Sequence, residues 1–349
     1  MFDSATVDTQ ITVLHKVTPQ PEHTFLFTHP ESRDFSLSAE KHIAQEYLSD
    51  NAFTFLSAQE YQLKAKIESI GTPLKDWDIS INYGIKTGLN DAFIIDEETR
   101  QNILSGCLNE EERKRTAALI KPILRGRDIK RYAYEWAGLY IIGTFPALHL
   151  NIDDYPSLKN YLSQFLPQIE QSGEKGCRKK TANKWFETQD NIAYWQEFEK
   201  EKIVWATLAR SGNAFAFENQ QLRTTDSCFI LTNNEQSQNI RWLLAFLNSP
   251  LALFYLEQVY TKLDTTGWQW KKAGVEKIPV PKITPDQEQI FVALVEEIIA
   301  LKKQNTPDNQ AKIDDLEQQL NHKIYALYQL NTAEIQYLHT HTNRTAGNY

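Results

Sequence analysis

The side chains that could perform chemistry are scattered along this chain. The element Asp128-Ile129-Lys130 has the residue types with which nucleases hold a metal ion and activate water, but no Pro-Asp precedes it and arginines flank it. The carboxylate pairs Asp153-Asp154 and Glu296-Glu297 are more typical of solvated surfaces than of acid–base pairs. The histidines are dispersed, with His339 and His341 near the end of the sequence. We therefore predict no catalytic residue and no metal site in this chain, which favours a binding role.

Composition sets the class of protein. With 349 residues and 41% hydrophobic content, the chain can bury a large core, enough for about two or three structural units. The cysteines (Cys107, Cys177 and Cys228) form no C-x-x-C pair, which argues against a cysteine-based zinc site and fits a reducing compartment. No apolar run is long enough to span a membrane, and MFDSATVDTQ lacks the features of a signal peptide. We expect a cytoplasmic protein with no membrane partner.

Positive charge is concentrated in two segments of an otherwise acidic chain. The net charge is −8, yet residues 113–131 hold eight basic residues and one acid, and residues 175–184 hold five basic residues and no acid. Such segments can bind phosphate locally, because salt screens distant charges over about 8 Å. The alternatives are solvated surfaces, or arginines paired with acids elsewhere in the fold. From these segments we predict DNA contacts by Arg125, Arg127, Lys130, Arg131, Arg178, Lys179, Lys180 and Lys184.

Two further segments have the composition of nucleic-acid contacts. In GIKTGLN (84–90), glycines would let the backbone of a tight turn approach a phosphate, although an ordinary hairpin turn is an equal alternative. After Gly267, tryptophans and lysines alternate as in a loop that stacks on bases or enters a groove. The alternative there is burial, which we favour for at least one tryptophan. The predicted contacts are Lys86, Thr87 and Asn90 in the first segment and Trp268, Trp270, Lys271 and Lys272 in the second.

Hydrophobic periodicity predicts a mixed α/β (α+β) chain, with a β-rich lobe followed by a C-terminal helical hairpin. Helical periodicity begins at Asn239 and is interrupted at Pro250, and Thr284 and Thr306 are expected to cap two later helices. An apolar seam from Ile313 to Leu327 supports the hairpin. Strands are predicted at 7–13, 139–143, 202–208, 214–218 and 227–232, a β-hairpin at 78–95 and a helix at 39–70.

Five segments, in order and at matching spacing, resemble the TaqI-like C-terminal specificity domain of type IIG restriction–modification enzymes and adenine-specific DNA methyltransferases. They are YGIKTGLNDAFIID, IKPILRGRDIKRY, KIVWATLARSGNAFA, LLAFLNSPLALFYL and EKIPVPKITPDQEQIF. The closing segment also resembles the junction between recognition lobe and spacer helices in type I specificity subunits. The resemblance spans about two thirds of the chain.

The resemblance implies a target-recognition region without its own catalytic domain. The chain has no Pro-Pro pair, hence no N-P-P-Y motif, and no G-x-G. Residues 1–30 would be the last strand and linker of a missing methyltransferase domain, 31–280 the target-recognition domain, and 281–349 a helical spacer. The implied partners are double-stranded DNA and the catalytic domain of the same parent protein. S-adenosylmethionine would be the parent's cofactor, with none in this chain.

The resemblance does not identify which residues contact bases. We assign the 125–131 motif to the DNA backbone, because the family shares it across different recognition sites. Loops 175–185 and 264–274 lie outside the best-matching segments, and we assign them to base recognition. The alternative functions are a self-contained nuclease or transferase with an unrecognised site, a partner-binding helical or structural module, and a carbohydrate-binding lobe suggested by the aromatic content.

Overall fold

The computed structural model describes residues 12–18, 20, 22–28, 41–48, 55–209, 212–234, 239–260, 262–263, 267–304, 306 and 308–346. The chain forms two compact units, one ending at Ser69 and one beginning at Ile70. The predicted boundary between 280 and 281 therefore lies within the second unit, and the division at that point remains a functional proposal. Within the described residues, no helix is long and apolar enough to cross a membrane.

The strands, in chain order, are β1 (Thr24–Phe27), β2 (Lys41–Ala44), β3 (Thr72–Pro73), β4 (Ile79–Tyr83), β5 (Ile94–Ile95), β6 (Ile120–Leu124), β7 (Tyr140–Ile142), β8 (Lys202–Ala206), β9 (Leu208–Ala209), β10 (Phe215–Glu218), β11 (Arg223–Thr224), β12 (Cys228–Asn233), β13 (Lys262–Leu263), β14 (Gly267–Gln269) and β15 (Pro279–Val280). The α-helices are α1 (Ala58–Ile70), α2 (Asn90–Phe93), α3 (Glu97–Ser105), α4 (Glu110–Leu119), α5 (Pro156–Ser163), α6 (Ile240–Leu247), α7 (Pro250–Val259), α8 (Lys272–Val275), α9 (Pro285–Gln304), α10 (Asn309–Leu327) and α11 (Thr332–Ala346). This mixed architecture with C-terminal helices confirms the predicted fold class.

The first unit contains an antiparallel β1–β2 pair followed by α1. The prediction of a helix over 39–70 is therefore wrong at Lys41–Ala44, where pairing with a distant strand overrides local periodicity. The predicted opening strand at 7–13 falls almost entirely outside the described residues, and residues 12 and 13 are not in a strand.

Two four-stranded sheets form the centre of the second unit. The first has the order β10-β8-β12-β4, with every described pair antiparallel. Its middle strand β8 is buried on both faces, as its apolar run indicates. The second sheet has the order β11-β6-β7-β5, in which β11 runs parallel to β6. Ile123 and Ile141 of this sheet share one core with Val204 and Ile230 of the first, so the two sheets are packed together.

The segment 78–95 is not the predicted hairpin. Strand β4 pairs with β12 in the first sheet, whereas β5 pairs with β7 in the second. Between them, Ile85 forms a parallel bridge with Thr225, so the turn carries the chain from one sheet to the other. The partner of β4 is therefore β12, a strand distant in sequence, whereas the alternating pattern had predicted pairing with the next strand in the chain.

The C-terminal helices α9 and α11 pack on α6 and α7, the two helices that follow strand β12 in the chain. Ser249 accepts a hydrogen bond from the Ala252 backbone N–H and begins α7, which confirms the predicted interruption at Pro250. Helix α9 packs on α6 and α10, and α11 packs on α7. The predicted capping box is present, because the Thr284 hydroxyl accepts from the Gln287 N–H and the Gln287 side chain accepts from the Thr284 N–H. Helix α10 instead begins after Asp308, so the Thr306 side chain does not cap it.

Candidate nucleic-acid interface

The glycines of the turn Gly84–Gly88 are required by the protein's own packing. A Cβ at Gly84 would lie 1.9 Å from the Thr225 carbonyl oxygen, and one at Gly88 would lie 2.6 Å from the Gln189 side chain. Gly88 also has a φ of 78°, which disfavours other residues. The packing of the protein therefore gives a reason for these glycines that does not involve a ligand, while Gly88 itself is exposed. The turn nevertheless leaves Lys86 exposed.

The neighbouring predicted contacts differ in exposure. Thr87 is buried, and its hydroxyl donates to the Asn90 side chain over 2.7 Å. Asn90 itself is exposed. Thr87 therefore positions the start of α2 and has no surface from which to contact DNA, whereas Lys86 and Asn90 do.

In the motif LRGRDIKR, Arg125 and Arg131 form ion pairs, and the two other cations are exposed. The Arg125 guanidinium contacts the Asp128 carboxylate at 2.7 Å, and Asp128 also accepts from the Arg125 backbone N–H at 2.8 Å. Residues Gly126–Asp128 form a short 3₁₀ turn between them. Arg127 and Lys130 are exposed, and within the described residues neither forms an ion pair. They are the members of this motif best placed to contact a phosphate.

Arg131 joins this motif to the C-terminal hairpin. Its Nε and Nη2 donate to the Glu317 carboxylate of α10 at distances of 2.9 to 3.1 Å. Its guanidinium also lies 5.3 Å from the ring centroid of Tyr132. Its predicted role in binding DNA is therefore replaced by a packing role, the alternative stated for arginines of this segment.

Arg178 is the second arginine whose predicted role changes. Its side chain is only 3% exposed, and its guanidinium donates to the backbone carbonyls of Thr87, Ile169, Trp185 and Glu187. Burial lowers the pKa of this guanidinium to about 10. Arg178 ties the loop 169–187 to the turn after Lys86 and is not available to DNA.

The remaining cations of that loop are exposed. Lys179 and Lys180 form no ion pair within the described part of the chain. The Lys184 ammonium donates to the Leu150 carbonyl at 2.9 Å and lies 5.5 Å from the Phe186 ring. The basic residues of the loop 175–184 are thus exposed as predicted, except Arg178.

Three segments converge on the turn Thr224–Cys228, which the sequence did not single out. The Ile85 N–H donates to the Thr224 carbonyl at 2.7 Å, and the Asp226 N–H donates back to Ile85 at 3.0 Å. On the other side, the Gly126 N–H donates to the Ser227 hydroxyl at 3.1 Å. The turn therefore lies between the one that exposes Lys86 and the one that exposes Arg127.

The tryptophan segment joins the same end of the sheet. The Ser227 carbonyl accepts from the Thr207 N–H at 2.7 Å, and the Thr207 carbonyl accepts from the Trp270 N–H at 2.8 Å. Gly126, Leu208 and Trp270 line one cleft with a volume of about 140 Å³. Leu208 is 62% exposed at this cleft.

The two tryptophans have different environments. Trp270 is 1% exposed, and its carbonyl accepts from the Trp205 indole, which confirms burial of at least one of the pair. Trp268 is partly exposed and stacks on Trp270 with ring centroids 5.5 Å apart. Lys271 and Lys272 are both exposed, and residues 264–266 of the predicted loop lie outside the described part. Trp268 and the two lysines therefore have surfaces that a ligand can reach.

The convergence surface, which we define by Lys86, Arg127, Lys130, Leu208, Asp226, Ser227, Trp268, Lys271 and Lys272, gathers exposed or partly exposed side chains from turns far apart in sequence. Arg127, Lys130 and Lys271 are sequence neighbours of residues that line the small cleft, an arrangement that can neutralise phosphates and contact base edges. Among the described residues, no group of three or more histidine, cysteine, aspartate or glutamate side chains could hold a metal ion.

Comparison with known families identifies the class of this region. Residues 121–280 match the model of the TaqI-like C-terminal specificity domain. This match confirms the resemblance drawn from the five sequence segments.

The particular relatives agree with this class. The type II methyltransferase M.BstVI of Geobacillus stearothermophilus is 23% identical over 325 residues, which cover 88% of this chain and 51% of the relative. The chain thus spans about half the length of this curated relative.

Two solved structures are also similar. The type IIL restriction–modification enzyme MmeI, solved in complex with DNA, has a TM-score of 0.53 at 11% identity, covering 92% of this chain and 41% of that one. The type IIG restriction endonuclease BpuSI has a TM-score of 0.47 at 14% identity, covering 82% and 36%. The likeness to MmeI concerns the fold alone.

Proposed function

We propose that this chain is the sequence-specific DNA recognition region of an adenine-specific DNA methyltransferase or type IIG restriction–modification enzyme. The observation that carries the proposal is the convergence surface, on which separate turns place exposed cations beside a cleft. Its Arg127-to-Lys272 portion falls within the segment that matches the TaqI-like specificity domain. A polyanion is the ligand that such a set of exposed cations fits.

In this proposal the chain's residues divide the work of recognition. Lys86, Arg127 and Lys130 neutralise phosphates and fix the register of the duplex, a sequence-independent contribution. Trp268 and Lys271 beside the cleft are the candidates for base recognition. The loop lysines Lys179, Lys180 and Lys184 extend the positive surface beyond the turn at Lys86, to which Arg178 ties their loop.

The parent protein would supply the chemistry. Its catalytic domain would flip an adenine out of the duplex and methylate it with S-adenosylmethionine, a cofactor for which we assign no site in this chain. Residues 1–30, 31–280 and 281–349 would then serve as the link to that domain, the recognition domain and a helical spacer.

A salt series on duplex binding tests the proposal. Each neutralised phosphate contributes about −0.9 to the slope of log K against log salt concentration. We expect the double variant Lys86→Ala/Arg127→Ala to flatten that slope by nearly two units and to weaken binding to cognate and scrambled duplexes alike. Fluorescence anisotropy on a labelled duplex measures both quantities.

The matched control is Lys303→Ala/Lys323→Ala, which removes two exposed lysines from α9 and α10. We expect this variant to keep the wild-type slope. Equal slopes in wild type, test variant and control would refute the assignment of the convergence surface to DNA.

A further inference from the structure

The carboxylate of Asp226 lies among the basic side chains of the convergence surface, with that of Asp190 close enough to raise its pKa. Asp226 is partly exposed, in the turn between those that expose Lys86 and Arg127. Its backbone N–H is bonded to the Ile85 carbonyl at 3.0 Å, so the residue's position is fixed by the main chain. Within the described residues, no other side chain donates a hydrogen bond to its carboxylate. The group is therefore held in place with its acceptor oxygens available.

On balance the surroundings of this carboxylate disfavour its charge and raise its pKa. Burial raises the pKa of Asp226, Lys86 lowers it and Asp190 raises it further. The pKa of Tyr83 is raised first by burial and then by the charges of Asp226 and Asp190. Asp226 therefore does not form an optimised ion pair. At a surface proposed to bind phosphates, its negative charge would also repel the backbone of DNA.

The chemistry of a carboxylate restricts what it can contact in DNA. An ionised carboxylate only accepts hydrogen bonds. Phosphate oxygens and ring nitrogens in the grooves are acceptors as well, so they offer it nothing. The donors in the major groove are the exocyclic amino groups, N4 of cytosine and N6 of adenine. Lys86 and Arg127 on either side would hold flanking phosphates, which leaves a base edge as the feature between them.

We infer that Asp226 is a specificity-determining residue that accepts a hydrogen bond from the exocyclic amino group of a cytosine or adenine in the recognised duplex. This inference rests on the proposed function and adds to it one base contact made by a carboxylate. Ser227 and Gly126 position the turn through their hydrogen bond and are not themselves assigned to a base.

Selection from a random duplex library measures the effect. The full chain is compared with Asp226→Asn, which keeps the shape, and Asp226→Ala, which removes the group. We expect wild type to enrich cytosine or adenine at one position and Asp226→Ala to lose about tenfold or more of that discrimination, whereas Asp226→Asn, whose amide keeps one acceptor oxygen, should lose less of it. Affinity for scrambled duplexes should stay unchanged or rise, because a charge that repels phosphate has been removed. Glu174→Gln, an exposed acid in the loop 173–184, is the matched control and should keep the preference.

A base analogue completes the test. Replacing the amino group at the selected position by hydrogen should weaken wild-type binding about as much as Asp226→Ala does, and should have no further effect on that variant. Unchanged preference in both Asp226 variants would overturn this inference and leave the proposed function standing. Duplex binding without any base preference in wild type would overturn this inference together with the sequence-specific part of the proposed function. Absence of duplex binding by wild type would instead refute the proposed function itself.

Discussion

The segments 125–131 and 175–184 are both basic, but the arginines that they hold in the fold are bound in different ways. In the first, Arg125 and Arg131 contact carboxylates at 2.7 and 2.9 Å, so their charges are cancelled in pairs. In the second, Arg178 is bound by backbone carbonyls, and only burial shifts its pKa. The first segment therefore exposes only the cations that lie outside its two ion pairs. In the second segment, the positive charge of Arg178 is buried without a carboxylate partner among the described residues, in the same loop as the exposed lysines.

This difference shows that the number of basic residues in a segment does not tell which of them bind a ligand. An arginine has five N–H donors in a planar fork, which suits it to link several chain segments from within. A lysine is a flexible point charge and is more often left at the surface. Arg127 is the exception here, because its turn exposes it between two engaged neighbours.

The largest expected effect is the loss of the carbonyl-bound arginine. Arg178→Met would leave several buried carbonyls without donors, each costing about 1 to 3 kcal/mol. We expect the free energy of unfolding to fall by about 3 kcal/mol or more in urea titrations. Arg178→Lys should not restore it, because an ammonium cannot reproduce the fork.

Lys179→Met is the matched control for this substitution, since it removes an adjacent exposed cation. It should change the free energy of unfolding by less than about 0.5 kcal/mol. If the two variants were equally stable, the anchoring role of Arg178 would be wrong.

A smaller effect is expected for the carboxylate-bound arginine. Arg131→Met should cost about 1.5 to 3 kcal/mol at most, because the pair is partly exposed and partly screened. Glu317→Gln should also destabilise, and the double variant should be less destabilised than the sum of the two single variants. Urea unfolding of the four proteins measures this coupling. Strictly additive effects would mean that the ion pair does not link the motif to α10.

The smallest effects on folding are expected at the exposed cations, where the effects on binding are largest. Arg127→Ala and Lys271→Ala should each change the free energy of unfolding by less than about 0.5 kcal/mol. Arg127→Ala should weaken binding to all duplexes and flatten the salt slope by about one unit. Lys271→Ala and Trp268→Ala should mainly reduce cognate preference, by about 1 to 3 kcal/mol for each base that the side chain no longer reaches. Binding titrations with cognate and scrambled duplexes over a salt series separate the two patterns, and the opposite assignment would reverse the proposed roles.

Sequence reasoning succeeded where the cause of a structure is local. Strands β8, β10 and β12 follow apolar runs, and the capping box at Thr284 follows from residues three apart. The burial of one member of the tryptophan pair is predictable, though not which one it is. A family resemblance carried by ordered motifs identified the domain, although no one segment would have done so.

It failed where a distant segment decides the outcome. Strand β4 alternates like one arm of a hairpin, but its partner β12 lies about 150 residues further along. The burial of Arg178 depends on carbonyls brought in from the turn at Thr87, 91 residues earlier in the chain. The turn at Asp226 has no composition that marks it, since its importance comes only from its position between two others.

The hydrogen bonds that join the three turns use main-chain atoms, with the Ser227 hydroxyl as the one side-chain partner in the bonds described here. A frame held in this way does not depend on the identity of Lys86, Asp226 or Arg127, whose side chains project from it without holding it together. Positions of this kind can be exchanged one at a time at little cost in folding. A lineage carrying this domain could therefore acquire a new target site by single substitutions, each tested by selection while the scaffold stays intact.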